Sequence, residues 1–194
     1  MVLQPVVQST APDRQAQLRD RLVGYLLGHG FGRMTVEDLA RELHCSKSTL
    51  YQLAPSKSEL VVLAVRQFFR DATSEVEAAV AAAPASDRVE AYLDAVAAAL
   101  APASRQFLDD VAAFAPAREV YELNTAAAAE RVRTLISEGV RAGRFRKVHA
   151  RFVADVVTRT MLDIQRGGIT GRIGISDSRA YAELRALVDH TLRG

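Results

Sequence analysis

With 194 residues, 49% of them hydrophobic, the chain can bury a substantial core, either as one domain or as a small head on a larger body. Its formal charge is only +2 and is evenly spread, since residues 1–60 carry seven lysines and arginines against six acids, so bulk electrostatics announce neither a nucleic-acid nor a membrane partner. The lone Cys45 rules out an internal disulfide, no stretch nears the roughly 18 to 20 apolar residues of a membrane span, and no secretory signal pattern opens the chain, so the expected compartment is the cytoplasm.

Alanine, leucine, valine and arginine are abundant and tryptophan is absent, a balance that favours an all-α fold on propensity. Residues 1–12 hold two prolines without helical periodicity and read as a flexible arm. Leu18, Leu22, Tyr25 and Leu26 then recur at helical spacing up to His29-Gly30, where glycine suits a left-handed cap. Thr35 is placed to cap a second helix, with Glu37 and Asp38 at the positive end of its dipole and Val36, Leu39 and Leu43 facing inward. His44-Cys45-Ser46 form a turn, and Ser46 caps a third helix through Gln52. Pro55 stops it. Ser56-Lys57-Ser58-Glu59 has the form of a capping box, opening a fourth helix that runs to Pro84 and forms a rod of roughly 40 Å.

Beyond Pro84 the pattern stays helical. Val89, Tyr92, Leu93, Val96 and Leu100 share one face, and Phe107, Leu108, Val111 and Phe114 another, with Pro102 and Pro116 as punctuation. A long helix is expected from Arg118 to Gly143, followed by helices near 150–166 and 178–192 whose apolar faces are wide for lone surface helices. The glycine-rich Gly167–Gly174 segment follows a helix and lacks the ending of a phosphate loop, so it reads as a mobile connector. No internal repeat of 20 to 50 residues is visible.

Three short helices with a tight turn between the second and third can place a recognition helix in the major groove of DNA. Lys47 and Lys57 are suited to phosphates, and the Thr49 and Tyr51 hydroxyls to further backbone contacts. Ser46, Ser48 and Gln52 are small or bidentate groups able to read base edges, and the free amides at the helix start behind Thr35 suit anionic oxygens.

The run Met34-Thr35-Val36-Glu37-Asp38-Leu39-Ala40, then Ser46-Lys47-Ser48-Thr49-Leu50-Tyr51, then Pro55-Ser56-Lys57-Ser58-Glu59-Leu60 closely resembles the N-terminal signature of the tetracycline-repressor (TetR) family. The resemblance is specific over about residues 14–65, with a further similarity in Gly139-x-x-x-Gly143-x-Phe145. It implies a homodimer with a DNA-binding domain at 13–60 and a ligand-binding and dimerisation domain at 61–194. It also implies repression of double-stranded operator DNA, relieved by a small organic ligand. The family usually has glycine where Ser48 stands and an aromatic, often after histidine, where Leu53-Ala54 stand. The loss of that aromatic predicts a looser attachment of the recognition helix to helix four.

For the ligand cavity the candidates are Tyr92, Phe107, Phe114, Tyr121, Asn124 and Met161. For the dimer face they are Phe152, Val153, Val156, Val157, Thr160 and Ile164, with Leu184, Leu187 and Val188 from the last helix. The four histidines lack partners at metal-ligand spacing, and no cofactor motif is present. No nucleophile–base pair or paired ligand set suggests an enzyme, and Asp109-Asp110 would point in different directions on a helix. The competing reading is a helical interaction or ligand-binding module whose DNA-binding head has degraded. Cys45 reads as a small buried hydrophobe rather than a redox sensor.

Overall fold

A computed structural model describes residues 11–194, with side chains from residue 14 onward. The expected arm at 1–12 lies outside the described residues except at Ala11 and Pro12, which open the first helix instead of closing the arm. Every regular element among the described residues is helical.

The head begins with α1 (Ala11–His29), α2 (Val36–Glu42) and α3 (Lys47–Tyr51), followed by the long α4 (Lys57–Ala82). Leu22 and Leu26 of α1, Leu39 of α2, Leu50 of α3 and Leu60 of α4 are fully buried against one another, which is why such short helices hold. Their ends are satisfied locally. Thr35 Oγ1 accepts from the Asp38 amide at 3.1 Å while the Asp38 carboxylate accepts from the Thr35 amide at 3.0 Å, a complete capping box that the Thr-x-x-Asp spacing did not advertise. At Ser56, where the box was expected, the hydroxyl accepts from the Glu59 amide at 3.2 Å but donates to the Glu59 carboxylate at 2.8 Å, so only half of it forms. Arg21 donates to the Leu43 carbonyl, closing the end of α2 from α1. Ala54 is buried and Leu53 packs beside it on the same core, so α3 keeps its apolar attachment without the aromatic.

The body consists of α5 (Arg88–Leu100), α6 (Arg105–Ala113), α7 (Ala115–Arg141), α8 (Ala150–Gln165), α9 (Gly168–Ile173) and α10 (Asp177–Arg193). Pro116 sits in the first turn of α7, where its missing N–H costs nothing, so the helix starts before Arg118 and the proline does not break it. The glycine-rich connector contains a helical turn, α9, bounded by left-handed Gly167 and Gly174. The Gly139–Phe145 similarity has a physical basis: a Cβ on Gly139 would lie 2.1 Å from the Phe145 ring, and Gly143 at φ +68° turns the chain so that the ring folds back.

Two apolar cores result. The first joins α1, α2, α3 and the first half of α4 to Phe107 and Val111 of α6 and Ala117 of α7. The second joins the end of α4 to α5, the second half of α7, α8 and α10. Both α4 and α7 therefore belong to both cores.

Candidate nucleic-acid interface and inner cavity

In the turn before α3, the Cys45 amide bonds the Ala40 carbonyl at 2.9 Å and His44 takes a φ of +48°. Cys45 is half-buried, and burial pushes its thiol up, away from the reactive thiolate. Leu50 anchors α3 inward while Lys47, Ser48, Tyr51 and Gln52 face solvent, Tyr51 with 45% of its surface exposed. Ser46 and Thr49 are occupied with the helix start: Ser46 Oγ accepts from the Thr49 amide at 3.1 Å and lies 2.7 Å from both the Ser48 and Thr49 hydroxyls. Thr35 is likewise engaged in the cap of α2. Lys47 Nζ is 2.6 Å from Glu37, and that hydrogen bond raises the lysine and lowers the glutamate. Both side chains are more than half exposed, so a phosphate can compete for the lysine. Lys57 stands half-buried in the first turn of α4.

Asp110 ties the head to the body. Its carboxylate on α6 is buried and accepts from the amides of Phe31 at 2.5 Å and Gly32 at 2.7 Å, in the loop between α1 and α2. Gln106 donates to its other oxygen at 2.8 Å. A Cβ on Gly30, which has φ +73°, would lie 2.5 Å from this carboxylate, so the approach requires glycine. Nearby the Ser104 amide donates to the Leu27 carbonyl at 2.8 Å. Asp109, one residue away, is exposed.

A cavity of about 270 Å³ lies between α4, α5, α7 and α8. Tyr92, Tyr121, Asn124 and Met161 line it. Phe107 and Phe114 do not. Phe107 packs edge-on against Phe31 and Phe68, with centroids 6.1 and 5.8 Å apart, and Phe114 lies 6.1 Å from Phe31, so both belong to the core under the head. Burial pushes the Tyr92 phenol up to about 12, which keeps it a neutral donor. Tyr121 donates to Gln165 Oε1 at 2.7 Å, and Gln165 Nε2 lies 3.1 Å from the Tyr181 hydroxyl. Arg105, at the start of α6, donates to the Gln165 carbonyl, so this wall of the cavity touches the helix that carries Asp110.

Sequence reasoning missed Glu77, Arg131, Thr158 and Gln165 of the cavity wall, together with Asp110 and Arg105. Glu77 and Arg131 lie 54 positions apart and form a two-bond ion pair, 2.7 Å at each contact, which no local pattern announces.

The wide apolar faces of α8 and α10 divide in two. Val157, Ile164, Leu184 and Val188 are buried in the chain's own core and are removed from the candidate dimer face. Phe152 at 67% exposure, Leu187 at 62% and Val156 face outward, with Val153 and Thr160 half-buried. Among the described residues no cluster of His, Cys, Asp and Glu is placed to hold a metal ion, and no helix is long and apolar enough to cross a membrane.

Residues 26–64 match the family model for bacterial regulatory proteins of the tetR family. No curated protein sequence matches the chain. Among solved structures, a transcriptional regulator from Saccharomonospora viridis in complex with choline superposes with a TM-score of 0.77 at 17% identity, covering 94% of this chain and 99% of that one. A TetR-family regulator from Agrobacterium tumefaciens gives 0.73 at 13% identity, covering 95% and 100%. The TetR-family regulator PfmR from Thermus thermophilus gives 0.66 at 21% identity, covering 92% and 98%. Residues 26–64 are thus similar to the tetR-family model, and the chain as a whole shares the fold of these solved regulators.

Proposed function

We propose that the chain is a homodimeric repressor, that residues 13–60 hold operator DNA in the cytoplasm, and that a small organic molecule bound within 61–194 releases it. The observation that carries this reading is the course of α4: its first half packs in the head core, and its second half, from Phe69 to Glu77, lines the cavity. A ligand that spreads the cavity wall must shift the helix on which the head is mounted, and the Asp110 contacts give α6 a second hold on the same head. The choline bound by the Saccharomonospora viridis regulator supports a body that accepts small molecules.

On the DNA side, Lys57 and Tyr51 are assigned to phosphates, Ser48 and Gln52 to base edges, and Lys47 to a phosphate that displaces Glu37. Thr35, Ser46 and Thr49 hold the helix starts in place for those contacts. Outward-facing Phe152, Val156 and Leu187 form the centre of the dimer face, with Val153 and Thr160 at its edge.

Fluorescence anisotropy with DNA flanking the gene, at fixed salt and against random competitor, tests the proposal. One duplex should bind preferentially. Lys57→Ala and Tyr51→Phe should weaken specific and random DNA alike, whereas Ser48 or Gln52 substitutions should change preference at about 1–3 kcal/mol per lost base contact. Leu187→Arg should yield monomers in sedimentation. An effector should lower operator affinity about 5- to 150-fold, and operator should weaken effector binding by the same factor. Equal affinity for all duplexes would sink the regulatory reading.

A further inference from the structure

We infer that the cavity selects a small uncharged compound, largely apolar, that presents a carbonyl or hydroxyl oxygen to Tyr92; this deepens the ligand-release reading and rests on it. Glu77 and Arg131 are the two charged side chains of the lining, and each satisfies the other through paired N–H···O bonds of 2.7 Å. An ammonium entering the cavity finds both Glu77 oxygens engaged and Arg131 beside them. A carboxylate drawn to Arg131 meets Glu77. Either ion must give up water without an unpaired counter-charge to receive it.

The polar groups of the wall are mostly committed as well. Tyr121 and Gln165 bond in series to Tyr181, Thr158 Oγ1 donates to the Ala154 carbonyl at 2.9 Å, and Thr73 Oγ1 to the Phe69 carbonyl at 2.7 Å. Tyr92 differs. It is buried, and its hydroxyl reaches only the Ala128 carbonyl, at 3.5 Å, where a hydrogen bond is weak. Ala128 is inside α7, so that carbonyl already belongs to the helix ladder. The phenol is thus a buried donor free to turn toward a ligand oxygen, in a space whose apolar lining includes Val96, Ala99, Leu100, Met161 and Leu162. At about 270 Å³ the cavity is near the lower end of the roughly 300–1,000 Å³ common for small-molecule sites, which restricts the ligand to a single ring or a short chain.

Three single-ring probes of different charge test this by calorimetry and thermal shift on the full chain: acetophenone, benzoate and benzyltrimethylammonium. Wild type should bind acetophenone and neither ion. Tyr92→Phe, which removes one hydroxyl without changing shape, should weaken acetophenone about 2- to 10-fold. Arg131→Gln, which leaves Glu77 unpaired, should admit benzyltrimethylammonium, and Glu77→Gln should admit benzoate. Acetophenone binding that Tyr92→Phe leaves unchanged overturns the assigned contact. Wild-type preference for an ion, or a wild type that ignores the ketone while a variant takes up a charged probe, overturns the neutral class and leaves the pocket standing. Absence of binding by all three probes to all four proteins overturns the class together with the ligand site itself.

Discussion

The head core and the body core share two helices, α4 and α7, yet one is sealed and the other holds a cavity. In the head, Leu22, Leu26, Leu39, Leu50 and Leu60 meet with none of their surface exposed. In the body, Ala72, Ala99 and Ala128 stand where the helices face each other, and their side chains are too short to close the space that Tyr92 and Met161 border. The same helices are stiffly packed in the head and loosely filled where a ligand is proposed to act. The displacement proposed above would start at the body end and travel as a rigid movement through the head.

Core truncation separates the two regions most strongly. Leu22→Ala should cost about 3–5 kcal/mol in urea unfolding, because the sealed head cannot collapse around the void. A cost below 1 kcal/mol would mean the head is not the tightly packed unit described. Next comes the link between the regions: Asp110→Ala strips the carboxylate from the Phe31 and Gly32 amides and should cost about 2–3 kcal/mol. Retained stability in that variant would show that these contacts do not tie head to body.

Alkali should act on the body. Burial raises Tyr92 and Tyr181 to about 12 from a usual value of 10.0, so both contribute fully below pH 10 and lose their contribution as pH rises toward 12. The loss should be on the order of 2 kcal/mol per tyrosine, flattened by Tyr92→Phe or Tyr181→Phe, and read by denaturation at stepped pH. Acid should act on the head through Asp38. Hydrogen bonds from the Thr35 hydroxyl and amide lower Asp38 to about 2, so its share is present above the ordinary carboxylate range and fades as pH falls toward 2. Thr35→Ala, which removes the hydroxyl half of that cap, should cost about 1 kcal/mol and reduce that acid dependence, since the position-35 amide and Arg41 still hold the carboxylate. The smallest effect is expected from filling the cavity: Ala99→Leu should change stability by less than about 1 kcal/mol, in the favourable direction, while weakening any cavity ligand. A large loss would mean the space is not there to fill.

Local signals explain how much could be read in advance. The caps at Thr35, Ser46 and Ser56, the stops at Gly30 and Pro55, and the leucine spacing act within one turn of chain, so the head was legible residue by residue. Pro116 misled because a proline that ends one helix and one that starts the next look alike without the neighbouring backbone. The dimer candidates were over-generous for a related reason. A wide apolar stripe on α8 or α10 says that much surface is buried, but which half of the stripe meets the chain's own α5 and α7 depends on how the helix is rolled.

By itself the sequence determined an all-helical chain, a three-helix head with its recognition helix, and a long α4 leading into a second bundle, because propensity, capping and periodicity are properties of neighbours in the chain. Only the tertiary structure decided that Phe107 and Phe114 close the head core while Glu77, Arg131 and Gln165 line the cavity, and that Asp110 rather than Asp109 reaches the loop before α2. The hydrogen-bonded pairings among them join residues 44 to 79 positions apart, and their geometry comes from the rotation and crossing of packed helices, which no window of sequence contains.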